Sequence, residues 1–129
     1  MQEMTPNALP GAGLTTIMKI VFFSLLAGIF SYALMPDSMT IEDKLGLSCA
    51  PHFLAFVTLA FAIDLAYPQS GNLRKAWVLT GYGILIEAVQ YFIPYRSCSF
   101  WDLMIDVLGI AAYFLGVQKF IVRWAKKPA

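Results

Sequence analysis

The sequence predicts an all-α membrane protein, a four-transmembrane-helix bundle with its N- and C-termini in the cytoplasm. Three observations carry that expectation. Hydrophobic residues fill 59% of the 129 positions and charged residues only 13%, against about 25% charged in soluble domains. A single domain of this length keeps too much surface exposed to hide so much apolar side chain in water. Four apolar runs separated by turn residues follow one another, and Lys and Arg gather in alternate loops. No run alternates with the period of two that a membrane barrel needs.

Residues 1–13 are polar, contain Pro and Gly, and read as a flexible N-terminus. The first span is expected at about 14–35, broken only by Lys19 and small hydroxyls. Just over 20 apolar residues suffice for a hydrocarbon core of about 30 Å. A competing reading is a signal peptide cleaved after Ser31-Tyr32-Ala33, which the late position of Lys19 and the length of the run argue against. Residues 36–51 form an acidic connector. Pro51 suits a helix start, and a second span follows at about 52–67, ended by Pro68. The stretch QSGNLRK at 69–75 reads as a turn. The third span is expected at about 76–93, stopped by Pro94, and the fourth at about 100–122, before a basic tail at 123–129. Residues 14–122 thus form one membrane domain.

Cationic loops mark the cytoplasmic side. Lys19, the Arg74-Lys75 turn and the tail cations Lys119, Arg123, Lys126 and Lys127 would share that side. The 36–51 connector and the 94–99 turn would face outward. Cys49 and Cys98 would then both lie outside, where an oxidising compartment would let them form a disulfide; two unpaired thiols are the alternative. The two cysteines include no CxxC pair, which excludes a thiolate zinc knuckle. A net charge of +1 leaves no basic field for nucleic acid.

The window EAVQYFIPYRSCSFWDLMID, 87–106, holds unusual polarity for such a chain. Positions i, i+4 and i+7 share a helix face. Gly83, Glu87, Gln90 and Pro94 make one stripe; Asp102, Asp106, Gly109, Tyr113 and Gly116 make another. Packing the stripes together would aim Glu87, Gln90, Asp102 and Asp106 inward, near His52 at the outer start of the second helix. Structural readings compete. Ser99-Phe100-Trp101-Asp102 fits a capping box, in which Asp102 only serves the helix N-terminus. Arg96 fits an interfacial anchor and His52 a hydrogen-bonded interfacial histidine. Asp64, near the inner end of its helix, is expected to reach water. Trp77, Trp101 and Trp124 fit an aromatic belt. Capping does not account for Glu87 and Asp106. An unpaired carboxylate at membrane depth costs about 2.5–3.5 kcal/mol on insertion scales.

Together these residues form a longer pattern, I-E-x-x-Q-x-F-x-P-x-R-x-x-S-x-x-D-x-x-x-(N/D)-x-x-G, carried by Ile86, Glu87, Gln90, Phe92, Pro94, Arg96, Ser99, Asp102, Asp106 and Gly109. It resembles the signature of the VanZ-like membrane proteins. Asp43-Lys44 and His52-Phe53-Leu54-Ala55-Phe56 are similar to a second element of that family, although eight positions separate Lys44 from His52 here. Asp106 stands where the family commonly has Asn. The resemblance implies a bacterial, multi-pass plasma-membrane protein of the cell envelope. The family takes its name from a protein associated with resistance to the glycopeptide teicoplanin.

Three functional readings follow. In the first, His52, Glu87, Gln90, Arg96, Ser99, Asp102 and Asp106 bind an envelope lipid. Arg96 and His52 would hold its phosphate or pyrophosphate, since a guanidinium donates two hydrogen bonds at once. The partners would be membrane lipids, a lipid-linked cell-wall precursor or a glycopeptide. In the second, an enzyme acts on a lipid-linked substrate, with His52, Glu87 or Asp106 as acid or base. A metal-assisted variant would use His52, Glu87, Asp102 and Asp106 around a divalent ion; no cofactor is the favoured expectation. In the third, the polar residues only fix helix packing.

Overall fold

The computed structural model describes residues 11–36, 50–95 and 99–128. They form four helices, with no strand among the described residues. Helix α1 is Ala12–Ala33, α2 is Ala50–Ala66 and α3 is Asn72–Tyr91. Helix α4, Phe100–Ala125, contains one wide, π-helical turn at Tyr113–Val117.

Local sequence sets the boundaries. Gly11 precedes α1, and Pro36 follows its end, because the residue before a proline leaves the helical region. Pro51 lies in the first turn of α2, where its missing N–H costs nothing. Tyr67-Pro68-Gln69-Ser70 closes a tight turn in which the Tyr67 carbonyl accepts the Ser70 N–H at 3.1 Å, with proline at the second position that such turns favour. Helix α3 starts earlier than the apolar run does. It takes in Asn72 to Lys75, which the sequence assigns to a turn, and there Lys75 bonds the half-buried Asp64.

Helix α2 is the centre of the assembly. It packs along α1 on one side and α4 on the other, and also meets α3. Phe56, Leu59 and Ala60 are at most 1% exposed. Phe22, Ile63, Leu79, Ile110 and Tyr113 complete the core around them. Helix α1 meets α3 mainly through side-chain hydrogen bonds from Tyr82 and Gln90 to the Leu26 and Ala33 carbonyls.

The outer surface is apolar. Trp77, Trp101, Trp124, Phe92, Phe120 and Leu115 are all exposed. Two helices, Ala12–Ala33 and Phe100–Ala125, are long and apolar enough to cross a membrane; Ala50–Ala66 is apolar but shorter. Hydroxyls on these helices bond back to their own carbonyls: Thr16 to Ala12, Ser31 to Ala27, Thr58 to Leu54 and Thr80 to Ala76, each at 2.8–2.9 Å. Such back-bonding satisfies these hydroxyls without water.

Candidate functional site

The start of α2, the end of α3 and the first turns of α4 meet at one end of the molecule. His52 Nδ1 lies 3.1 Å from Asp106 Oδ1, so the ring N–H donates when the carboxylate is ionised. His52 Nε2 stands 4.0 Å from Asp102 Oδ2. The His52 and Asp102 side chains are 16% and 24% exposed, while that of Asp106 is 1% exposed. The charges of Glu87 and Asp102 both act on Asp106.

Two glycines make this convergence possible. A Cβ on Gly109 would lie 2.8 Å from the Phe53 carbonyl oxygen, inside van der Waals contact, so α2 and α4 approach as they do only because position 109 has no side chain. A Cβ on Gly83 would come within 3.2 Å of Asp106 Oδ2. Small residues serve close helix packing in this way. Gly116, which the sequence places on the same packing stripe, is exposed, and a Cβ there would meet nothing within 4 Å. The wide turn at Tyr113–Val117 rotates it out of the interface.

The expected capping box at Ser99 is not formed. The Ser99 side chain makes no cap bond. The Ser99 backbone N–H, which Asp102 would accept in such a box, is accepted instead by Glu87 Oε2 at 3.0 Å. Glu87 therefore ties α3 to the start of α4. Gln90 is turned to a different neighbour. Its amide donates to the Ala33 carbonyl at 2.9 Å, satisfying a free carbonyl at the end of α1. The other oxygens of these side chains are buried acceptors. Glu87 Oε1, Gln90 Oε1 and Asp106 Oδ2 have no hydrogen-bond partner among the described residues.

A second polar cluster occupies the opposite end. The sequence predicts water around Asp64; its carboxylate accepts three hydrogen bonds instead. Lys75 Nζ donates to Oδ1 at 2.6 Å, and Tyr113 Oη and Gln118 Nε2 donate to Oδ2 at 2.8 and 3.0 Å. Gln118 also exchanges hydrogen bonds with Asn72 at 2.8 and 3.1 Å. Lys75 is only 2% exposed. In a regular α-helix, residues five apart point about 140° away from one another. The Gln118 N–H bonds to the Tyr113 carbonyl, five residues back, and this wide turn brings both side chains to one carboxylate. π-Helical turns of this kind often mark functional positions.

Of the residues singled out in the sequence, His52, Asp102 and Asp106 come together, Glu87 and Ser99 bond directly beside them, and Gln90 joins α1. Arg96, Cys49, Cys98, Asp43 and Lys44 lie outside the described residues. Among the described residues, no three His, Cys, Asp or Glu side chains group closely enough to hold a metal ion. Sequence reasoning missed the Lys75, Tyr113 and Gln118 donors to Asp64. The signal for Lys75 was present: Asp64 and Lys75 each lie four residues from the turn residues Pro68 and Gly71, and so at equal depth.

The VanZ/LLP1 family model matches residues 2–122, nearly the whole chain. No curated protein and no solved structure shows a significant match. The family match spans α1 to α3 and all but the last three residues of α4, together with the His52, Glu87, Asp102 and Asp106 cluster, and the chain belongs to the VanZ/LLP1 family.

Proposed function

We propose that the protein is a multi-pass protein of the bacterial plasma membrane, each helix crossing once with both termini cytoplasmic, and that the cluster around His52 binds the headgroup of an envelope lipid. Support for the membrane reading is the exposed aromatic and aliphatic surface, and an α1 of which only 6% of the apolar window is buried. A 17-residue α2 and a 20-residue α3 span about 26 and 30 Å at 1.5 Å per residue, within reach of the hydrocarbon thickness.

The observation that carries the binding reading is three buried acceptors, on Glu87, Gln90 and Asp106, that have no donor among the described residues. Leaving a buried polar atom unpaired costs about 1–3 kcal/mol, so three such atoms argue for a use. Acceptors need O–H or N–H groups, which sugar and peptide moieties of a lipid-linked cell-wall precursor carry. A phosphate or pyrophosphate brings none, and would go to Arg96 and His52. Ser99 and Asp102 stand at the rim beside His52. Holding such a precursor would alter the access of a lipophilic glycopeptide of the teicoplanin type. The test is titration of the purified protein with a polyprenyl pyrophosphate. Arg96→Lys should weaken binding more than Glu87→Gln does; unchanged binding in Arg96→Ala would remove the phosphate assignment.

The hydrogen bond between His52 and Asp106 favours one second reading. A carboxylate that orients an imidazole is the arrangement of a general base, and suits an enzyme acting on the same lipid. On that reading Asp106→Asn abolishes turnover and leaves binding intact.

A further inference from the structure

Away from the His52 cluster, an apolar cavity of about 340 Å³ lies among α1, α2 and α3, lined by Phe22, Leu26, Ile63, Val78 and Leu79. Arg74 lies at its mouth together with Tyr67 and Ser70. A second, more polar cavity of about 470 Å³ adjoins it, lined by Lys19, Thr15 and Gln69 as well as by the same Tyr67 and Ser70. The two share Tyr67 and Ser70 and together make a groove with Arg74 on its apolar part and Lys19 on its polar part.

The charges at the opening are not alike. Lys75 is neutralised by Asp64 at 2.6 Å. Lys19 stands over the Tyr67 ring, 5.0 Å from its centroid, and neither Lys19 nor Arg74 forms an ion pair among the described residues. Two cations with no acid partner among the described residues thus stand where the apolar cavity meets the polar one. We infer that this groove binds one anionic glycerophospholipid, with an acyl chain between α1 and α3 and its phosphate between Lys19 and Arg74. Both parts of the site match one molecule: the apolar depth suits hydrocarbon, and Arg pairs with phosphate through two parallel bonds. The Tyr67 hydroxyl and Ser70 sit where glycerol and ester oxygens would lie. A polybasic surface attracts anionic lipid generally; here the adjoining slot adds a seat for one chain.

The inference rests on the membrane reading above, and concerns a different site. The full-length protein is reconstituted into phosphatidylcholine vesicles carrying a trace of spin-labelled phosphatidylglycerol or spin-labelled phosphatidylcholine, and the motionally restricted fraction is measured. The wild type should restrict phosphatidylglycerol severalfold more than phosphatidylcholine. Lys19→Gln with Arg74→Gln should remove that preference. Val78→Trp, which fills the slot and keeps both cations, should remove it as well, while Arg96→Ala should leave it intact. Equal restriction of the two lipids by the wild type, or a preference that survives the double substitution, would overturn the assignment. Loss of preference on adding inorganic phosphate, compared with chloride at equal ionic strength, would show a free-anion site and overturn it too. Failure of the protein to float with the vesicles would overturn the membrane reading together with this one.

Discussion

Glu87 Oε2, on the third helix, accepts the backbone N–H of Ser99, the residue just before the fourth, at 3.0 Å. The bond does across two helices what a capping box does within one. It holds the first turn of α4 against α3, and so sets the height at which Asp102 and Asp106 face His52. A charged acceptor on a backbone N–H contributes about 1.5–3 kcal/mol. Glu87→Ala should therefore destabilise the protein by about that amount and speed amide exchange at the start of α4. Glu87→Gln keeps an acceptor and should lose less. Hydrogen exchange read residue by residue in detergent micelles checks both; equal protection of Ser99 in wild type and Glu87→Ala would contradict the role.

His52 and Asp106 should be energetically coupled. A double-mutant cycle with His52→Gln and Asp106→Asn should return an interaction of about 0.5–3 kcal/mol, the range for residues in one hydrogen-bond network. The same cycle on His52 and Asp102, 4.0 Å apart, should give a smaller value. Chemical unfolding in mixed micelles supplies the four stabilities that each cycle needs.

Gly109 and Gly116 should behave oppositely. Gly109→Ala pushes a methyl to 2.8 Å from the Phe53 carbonyl, and overpacking of this kind costs about 1–3 kcal/mol. Gly116→Ala meets nothing within 4 Å and should be neutral, or stabilising by up to about 1 kcal/mol through helix propensity. Thermal unfolding in detergent separates the pair.

Lys75 and Asp64 form a nearly buried pair, with side chains 3% and 18% exposed. Removing one partner strands the other charge at about 3–5 kcal/mol. Lys75→Met alone should be strongly destabilising, and adding Asp64→Asn should recover most of the loss. Tyr113→Phe removes one of the three donors to Asp64 and should cost about 1 kcal/mol. The yield of folded, monodisperse protein after extraction reports the first two directly.

Much of this fold was legible because apolar runs and proline positions in so short a chain leave few alternatives. Pro36, Pro51, Pro68 and Pro94 mark helix boundaries to within a few residues. The Glu87 and Asp106 faces were legible from helical spacing, since a buried stripe with an acid in it stands out against aliphatic neighbours. Two features were not. The Ser99-x-x-Asp102 spacing is a local signal for capping, and a carboxylate from another helix took that amide instead. Asp64 lies near a predicted helix end, where water is the default partner; its donors come from α3 and from beyond the wide turn of α4. Periodicity written at 100° per residue places Tyr113 and Gln118 on different faces. The error at Gly116 has the same source.

The central claim is that the cluster around His52 holds the headgroup of an envelope lipid. Native mass spectrometry of the full-length protein, extracted from bacterial membranes in mild detergent, tests it most directly. The expected result is a co-purified polyprenyl-linked phosphate or pyrophosphate lipid on the wild type, its occupancy reduced at least tenfold in Arg96→Ala and retained in Lys19→Gln with Arg74→Gln. A wild-type protein that carries no such lipid, or an Arg96→Ala variant that carries it undiminished, would contradict the claim.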